Sequence, residues 1–593
     1  MNALQSEQYV TVRRRVFKQL IESMIFEGII IPEETRNTDG YIQFHLKGQD
    51  EQLQEVTYLC SGRRRMTFGR IRLTHTPVIR ESVQSKAEAV SLTQFVKEVL
   101  KSSDINEVKL QAFANELEQT LLNDTLAQFN RFRENSIMMG KSYDELERDM
   151  TDGHPYHPSY KSRIGFSYED NYMYGPEFKQ PIQLYWVALH RSCSKFVIAD
   201  GMSFEDLMEA ELGREKLDEF HQLVKSAGGN PFDYYYLPVH PWQWKKHIVT
   251  SFASELRSKK IILLGKSEDV YYPQQSIRTL ANQSNPKKPY VKLSMNLINT
   301  SSPRTILPTF IESAPQVSAW LQDIVLSDSY LREEARLTLL QEFAGVTFHL
   351  PAKSSFESSS TIGSIGCIWR SSIHCHLEKD EQAIPFNAVF SFELTKQPFI
   401  DPWIRKYGIE KWLVNLLEVS VLPIIHLAIA HGIALETHAQ NMVLIHKEGM
   451  PTRIALKDFH EDVLFCQSFL RNPEKCPSFA KDTDFEVEDV SSVRVLTLGA
   501  LFFVNLAELA LLLADQYDFR EETFWGLCAK VIERHHHRFP DLSHRFNQFN
   551  IFTPTTMVEQ LTKRRLYTNT SQLSHEVYNP LEMVKAQQIL PKM

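Results

Sequence analysis

The sequence predicts a multi-lobed α+β protein, on three observations: an ordinary globular composition in a long chain, a hydrophobic period that alternates between helix and strand, and a last third that is mostly helical. The chain has 593 residues, 43% of them apolar, and 65 Lys and Arg against 73 Asp and Glu give a formal net charge of −8. At roughly 100 to 200 residues per domain, that length supplies about three or four packed units with room for a cleft between them. Disorder, collagen and coiled coil are excluded by the balance. The slightly acidic total argues against general nucleic-acid binding, which needs a basic surface to displace counterions. The runs Arg13-Arg14-Arg15 and Arg63-Arg64-Arg65 are too short to change that and read as solvated faces.

Taken in order, residues 1–30 and 85–135 carry apolar positions at helical spacing (Leu92, Phe95, Val96, Val99; Leu110, Phe113, Leu117, Leu121), and 40–75 alternate as strands. The stretch 151–175 is a loop rich in Gly, Pro and His, broken at Pro155 and Pro158. From 180 to 400, strand-like runs at Ile182–Leu189, Ile261–Leu264 and Tyr290–Leu297 alternate with helical segments and predict a largely antiparallel sheet. Beyond 400 the pattern is helical apart from a hairpin, Met442–His446 and Arg453–Lys457 around a turn at 447–451. Ser354–Ser364 reads as a flexible loop.

Seven cysteines without a CxxC pair, and an N-terminus without an apolar leader, predict a cytoplasmic protein. Trp412–Leu435 and Val495–Ala514 approach membrane-spanning length, but Glu418, Pro423, His426 and His431 interrupt the first and Asn505 and Glu508 the second. Charge at that depth is expensive, so both read as buried core helices.

Phosphate-loop, dinucleotide, zinc-protease and hydrolase-elbow motifs are missing. Four polar segments remain. Glu436, His438 and Gln440 alternate onto one side of an extended segment with Asn441 adjacent, and the hairpin would return Asp458 beside Asn441. Such oxygen ligands suit Mg²⁺, which binds nucleotide phosphates through one or two protein groups. Ser276, Arg278 and Thr279 alternate hydroxyl and guanidinium groups, the donors that suit phosphate oxygens. Lys292, Thr300 and Arg304 set two cations around a run of small polar residues. His154, His157, Lys161 and Arg163 share one proline-stiffened loop. Each has a bland counterpart as a solvated turn or strand end. His374-Cys-His376 and His535-His536-His537 carry no metal reading, the latter because successive helical residues diverge by about 100°.

In their order along the chain, HPYHPSYKSRIGF (154–166), VHPWQW (239–244), QQSIRT (274–279), the Lys292–Arg304 tract, HGIALETHAQN (431–441) and IALKDFH (454–460) resemble the aerobactin-synthetase (IucA/IucC-like) family of siderophore synthetases that work without a nonribosomal peptide assembly line. The likeness covers essentially the whole chain and is similar to the branch acting on citryl monoamides. It implies a cupped hand of thumb (1–180), fingers (181–400) and palm (401–593). It also implies an ATP- and Mg²⁺-dependent ligase: a carboxylate of citrate or a citryl monoamide is adenylated, and an amine of the polyamine type displaces AMP to form an amide. A homodimer, small-molecule substrates and no nucleic-acid or membrane partner come with the resemblance. So do the residue roles: Ser276, Arg278, Thr279 and Lys292 on ATP phosphates, Arg304 bridging phosphate and carboxylate, Thr300 and His438 on the carboxylate, Glu436, Asn441 and Asp458 on the metal with Gln440 nearby, and His157 and Lys161 closing the nucleotide site. Arg304, His438 and Lys292 are the expected catalytic groups. Arg370 receives no role, because Ser371 follows it where relatives often carry an acidic residue. The rival reading is a kinase-like phosphotransferase using Asn441 and Asp458 as its metal pair.

Overall fold

The computed structural model describes residues 2–36, 40–101, 103, 105–300, 302–349, 361–567 and 573–586. Its three main apolar cores follow the three composition zones. In the first, helix Glu7–Phe26 buries Val12, Val16, Phe17, Leu20, Ile21 and Met24 at helical spacing. They pack on an antiparallel sheet in the order Glu33–Arg36, Ile42–Gln49, Glu55–Arg64, Ile79–Ser82, Lys86–Glu88, with Ile71–Leu73 also paired to the third strand. Helices Leu92–Leu100 and Glu107–Glu134 close the layer. Gly48 lets strand and helix touch, since a Cβ there would stand 2.6 Å from the Glu98 carbonyl oxygen. Helical spacing was expected from residue 85, but Lys86–Glu88 is a strand, because it can pair back on Ile79–Ser82 before the helix begins at Leu92.

The middle zone holds a three-stranded sheet (Ile261–Lys266, Tyr185–His190, Tyr234–Val239) and a six-stranded one in the order Tyr271–Pro273, Thr279–Asn282, Tyr290–Leu293, Gly366–Arg370, Glu342–Phe348, Ser194–Ile198. Every one of these pairings is antiparallel, as the alternation predicted. The run Tyr290–Leu297 divides at Ser294, and Met295–Asn299 turns to pair with Ser302–Arg304. Of the expected Ser354–Ser364 loop, 354–360 lie outside the described residues.

The last zone is helical around the predicted hairpin. Met442–Lys447 and Met450–Leu456 pair with Lys447 opposite Met450, so the turn is the two residues Glu448 and Gly449, both at positive φ. It is tighter than the five residues expected. The two apolar helices, Ile409–His431 and Val490–Tyr517, are long and apolar enough to cross a membrane, yet 72% and 78% of their most apolar stretches are buried inside the protein. Their polar interruptions have partners: Glu508 pairs with Arg70 at 2.8 Å and with Arg72, and the Asn505 amide donates to the Thr437 carbonyl at 3.4 Å. The first zone thus docks on the last through buried ion pairs. The helix Pro308–Ser327 lies between zones, contributing Val317, Trp320, Leu321 and Val325 to the large C-terminal core and Ile311 and Ala314 to a small one under the six-stranded sheet.

Candidate active site

The cationic side of the site is built by sheet register. Thr279 lies directly opposite Lys292 on neighbouring strands, and Tyr290 opposite Arg370 on the next pair, so residues up to 91 positions apart share one surface. The turn before Thr279 is tight: Ile277, a β-branched residue, adopts φ 70, and the Thr279 amide donates to Ser276 Oγ at 3.2 Å. Ser276, Arg278 and Thr279 are therefore held together. Arg278 is buried and donates one Nη to the Thr305 carbonyl at 3.0 Å, while its nearest carboxylate oxygen, on Glu461, is 3.8 Å away. Arg304 donates to the Asn299 carbonyl at 3.2 Å. The Nε of each guanidinium is buried without a hydrogen-bond partner. Burial and the charge of Arg278 pull the Arg304 guanidinium down to about 10. Two neighbouring guanidiniums of like charge, each with a buried and unused donor, describe an anion site. Thr300, beside them, sits at φ 60, a costly conformation for a β-branched residue, with its hydroxyl 3.5 Å from the Tyr160 carbonyl.

The carboxylate side comes from the hairpin and its flanks. Strand Ile433–Leu435 leads to Glu436, whose amide donates to the Asp462 carbonyl at 2.9 Å. His438 follows, with Nε2 3.8 Å from Glu436 Oε2, and burial holds this imidazole below its ordinary value, hence neutral. The expected alternation stops there: Ala439–Asn441 is a 3₁₀ turn, so Gln440 does not continue the face of Glu436 and His438. The short turn serves to start the hairpin, since the Lys457 amide then donates to the Asn441 carbonyl at 3.0 Å. Asp458 comes next, as the register required, at φ 63.

The two sides meet at Asp458. Its Oδ1 is 2.9 Å from Lys292 Nζ and 2.7 Å from an Arg370 Nη. Burial alone would raise this carboxyl, and the two cations hold it well below its ordinary value instead. Glu436 and Asp462 behave oppositely: burial raises both, and the Glu436 carboxylate pushes Asp462 up strongly while Asp462 gives Glu436 a hydrogen bond, the signature of two carboxyl groups sharing a proton where a cation would relieve them. The Asn441 amide nitrogen points at this pair, 3.0 Å from the Glu436 carbonyl oxygen and 3.4 Å from Asp462 Oδ2. Of the three expected metal ligands, then, Glu436 is the one that faces a second carboxylate, Asp462. Asn441 would have to turn its oxygen inward, and Asp458 is taken by two cations.

The His154–Arg163 loop divides. His157 is fully buried with Nδ1 accepting from the Ser159 amide at 3.1 Å and Nε2 unpartnered, and burial keeps it neutral. Lys161 is committed: its ammonium binds Asp124 at 2.8 Å, Glu177 at 3.1 Å and the Thr151 carbonyl. In this conformation it positions the loop rather than reaching for a phosphate.

Sequence reasoning passed over Arg370, Glu342, His460, Glu461 and Asp462. Glu342 is buried and accepts from His460 Nδ1 at 2.8 Å and from the Phe459 and His460 amides at 3.1 Å each, which fixes the backbone just after Asp458. The acidic and imidazole groups crowded into Asp458-Phe-His-Glu-Asp462 were the available signal for three of the five.

The chain matches the model of the IucA/IucC family over residues 142–391 and, over 410–574, the model described as ferric iron reductase FhuF-like transporter. It is 45% identical to the citryl-spermidine/3,4-dihydroxybenzoyl-citryl-spermidine:spermidine ligase of Bacillus anthracis, over 98% of this chain and 95% of that one. It is 35% identical to the 2-[(L-alanin-3-ylcarbamoyl)methyl]-3-(2-aminoethylcarbamoyl)-2-hydroxypropanoate synthase of Staphylococcus aureus, over 96% and 92%. The crystal structure of the petrobactin biosynthesis protein AsbB from Bacillus anthracis superposes with a TM-score of 0.94 at 45% identity, covering 99% of this chain and 98% of that one. These relatives are a ligase, a synthase and a biosynthesis protein, which removes the phosphotransferase alternative. With its cation-lined strand register, its hairpin of carboxylates and near full-length identity to such ligases, the chain belongs to the IucA/IucC family of siderophore synthetases.

Proposed function

We infer that the protein is an ATP-dependent ligase that adenylates a carboxylate of citrate or a citryl monoamide and joins it to a polyamine-type amine such as spermidine, releasing AMP and pyrophosphate. The observation that carries this reading is the Arg278–Arg304 pair, two guanidiniums of like charge, each with a buried, unused Nε donor. ATP phosphates would occupy that pair together with Ser276, Thr279 and Lys292, and His157 would add its free Nε2 from the loop.

In the first step a carboxylate oxygen attacks the α-phosphorus and pyrophosphate leaves with the bonding pair. Charge builds on the phosphoryl oxygens, and fixed cations stabilise it most in the transition state. Arg304 and Lys292 would supply that charge, with Arg304 also meeting the carboxylate that Thr300 and neutral His438 would orient. In the second step the neutral amine attacks the acyl carbon, AMP leaves with the bonding pair, and the nitrogen gives up its surplus proton to solvent. Glu436 and Asp462, with Asn441 and Gln440 alongside, would hold Mg²⁺, which bound there neutralises the departing pyrophosphate. Asp458 would join them as phosphate draws Lys292 and Arg370 away. The carboxyl-rich hairpin also suits a polycationic amine. We further propose the three lobes 1–180, 181–400 and 401–593, a homodimer, and a cytoplasmic site of action where ATP is available.

The test is turnover of the full chain with ATP, Mg²⁺, spermidine and either citrate or citryl-spermidine, with all products identified by mass. AMP, pyrophosphate and a citryl amide in one-to-one-to-one ratio are expected, with the monoamide preferred; ADP, or AMP without amide, overturns the reading. Light scattering checks the dimer at twice the 68.8 kDa chain mass.

A further inference from the structure

We propose a second, separate metal site, for a first-row divalent transition ion of the Zn²⁺ type, held by His426, His431 and Asp328. The inference does not rest on the proposed function.

Asp328 follows helix Pro308–Ser327, and both histidines lie in the last turns of the apolar helix Ile409–His431. Their ligand atoms converge: Asp328 Oδ2 is 2.9 Å from His431 Nε2 and 3.2 Å from His426 Nε2, and all three lie within 4.8 Å of one another. With metal–ligand bonds of about 2.0–2.2 Å, the edges of a tetrahedral site are about 3.3 Å. The observed separations therefore need only small adjustments to admit an ion. Two imidazoles and one carboxylate suit zinc or iron(II) rather than Mg²⁺ or Ca²⁺, and leave a fourth position open.

Two independent features favour a built site. The first is local helix geometry. Residues five apart in a regular α-helix point about 140° away from each other. Here Leu427–His431 forms a π turn, which swings His431 round to the side of His426. Such turns are uncommon and cost regular hydrogen bonding, and this one brings the two Nε2 atoms together. The second is the outer layer. His426 Nδ1 is 3.0 Å from Nε2 of His535, the first member of the triple-histidine run, whose two companions turn elsewhere. Asp328 Oδ1 accepts from the Leu331 amide at 3.0 Å, leaving Oδ2 for the convergence point. Oriented outer partners of this kind are what metal-binding imidazoles and carboxylates require. His426, His431 and His535 are buried, and the rings of Tyr330 and Phe539 pack on His426 and His535 at 4.7–5.0 Å. The half-exposed Arg471 guanidinium stands 3.9 Å from Asp328 Oδ2 and would swing to solvent as the ion enters. The chain runs from His431 through Gly432 and Ile433–Leu435 into Glu436, so the ion would clamp the helix end from which the catalytic segment departs.

The competing account is a hydrogen-bonded knot in which Asp328 accepts from two protonated Nε2 atoms. The experiment is a zinc titration of chelator-treated full-length protein in excess Mg²⁺, read by elemental analysis after gel filtration and repeated with Co²⁺ for its visible ligand-field bands. The site predicts one Zn²⁺ per chain, the bands of a four-coordinate cobalt ion, at least a 100-fold loss of affinity in His431→Gln and Asp328→Asn, a 10- to 100-fold loss in His535→Gln, and unchanged zinc affinity in Asp462→Asn in the cleft. Zinc retained by His431→Gln and Asp328→Asn, lost in Asp462→Asn, or not bound by the wild type at all overturns it. Should the first-named variants fail to fold, zinc absorption-edge spectroscopy of the wild-type complex decides: two imidazoles and a carboxylate support the site, and any shell with fewer than two imidazoles contradicts it.

Discussion

Lys161 and Arg163 on one side, and Arg278 and Arg304 on the other, are all cations that the sequence places in polar, loop-like segments, and the structure makes opposite things of them. Lys161, Arg163 and Arg278 are equally hidden, at 3–5% exposure. What differs is partnering. Lys161 and Arg163 share Asp124 and Glu177, two cations against two carboxylates, with Asn171 taking a further Arg163 nitrogen at 2.6 Å and Tyr160 donating to Asp124 at 2.7 Å. Arg278 and Arg304 have carbonyl oxygens, a carboxylate at 3.8 Å, and each other. Burial of charge alone therefore does not single out a residue for function, and incomplete neutralisation is what singles out Arg278 and Arg304 as candidates.

The comparison predicts opposite consequences for the same operation. Arg304→Ala should lower kcat/KM for amide formation by about 10²–10³ while leaving the thermal midpoint unchanged or slightly raised, because Arg278 is relieved of a like charge. A fall in midpoint matching the loss of activity would put Arg304 with the structural cations. Lys161→Ala should do the reverse: removing one member of a buried neutral cluster costs about 3–5 kcal/mol, seen as a lowered midpoint in calorimetry, with the folded fraction retaining most of its turnover.

Lys292→Met lies between, since Lys292 has both a catalytic assignment and a carboxylate partner. About 10²-fold is expected in kcat/KM, and the second cation on Asp458, Arg370, should limit the stability loss to roughly 1–2 kcal/mol. Arg370→Ala, by the same reasoning, should show a smaller activity loss than Lys292→Met; a larger one would make it the principal phosphate contact.

Proton linkage separates two buried carboxyls more gently. Arg163 and Lys161 overcome burial to hold Glu177 down to about 2, so the stability it contributes is complete above its ordinary value of 4.5 and is lost as pH falls from there toward 2. Glu27 has no such cation. Burial pushes it up to about 7 despite hydrogen bonds from Tyr156 at 2.6 Å and the Lys563 amide at 2.7 Å, so the folded state binds the proton and stability declines as pH rises from 4.5 to 7. Glu27→Gln should flatten that decline in unfolding midpoints taken from pH 5 to 7, and an unchanged slope would show the group ionised in the fold.

These contrasts also explain which features were legible in the sequence. The antiparallel strands of 180–400, the hairpin and the two apolar core helices follow from local periodicity, which a sequence displays directly. Ser276, Thr279, Lys292 and Asp458 could be singled out because donor types cluster within each segment and one hairpin register supplies the rest. The ion pairs of Lys161 could not be read, since Asp124 and Glu177 lie 37 and 16 residues away along the chain. Arg370 was dismissed on the identity of Ser371, its neighbour in sequence, whereas its ion pair is with Asp458, 88 residues on. Gln440 was misplaced because alternation was carried five residues past the end of strand Ile433–Leu435, into a 3₁₀ turn.

The most direct test of the central claim is the fate of carboxylate oxygen. With the reacting carboxylate of citryl-spermidine labelled with ¹⁸O, adenylation followed by amide formation must leave one ¹⁸O in the phosphate of AMP for each amide bond made. Label recovered in pyrophosphate or inorganic phosphate, with AMP unlabelled, would show that the carboxylate never attacked the α-phosphorus, and the assignment of Arg278, Arg304 and Lys292 to that step would fall with it.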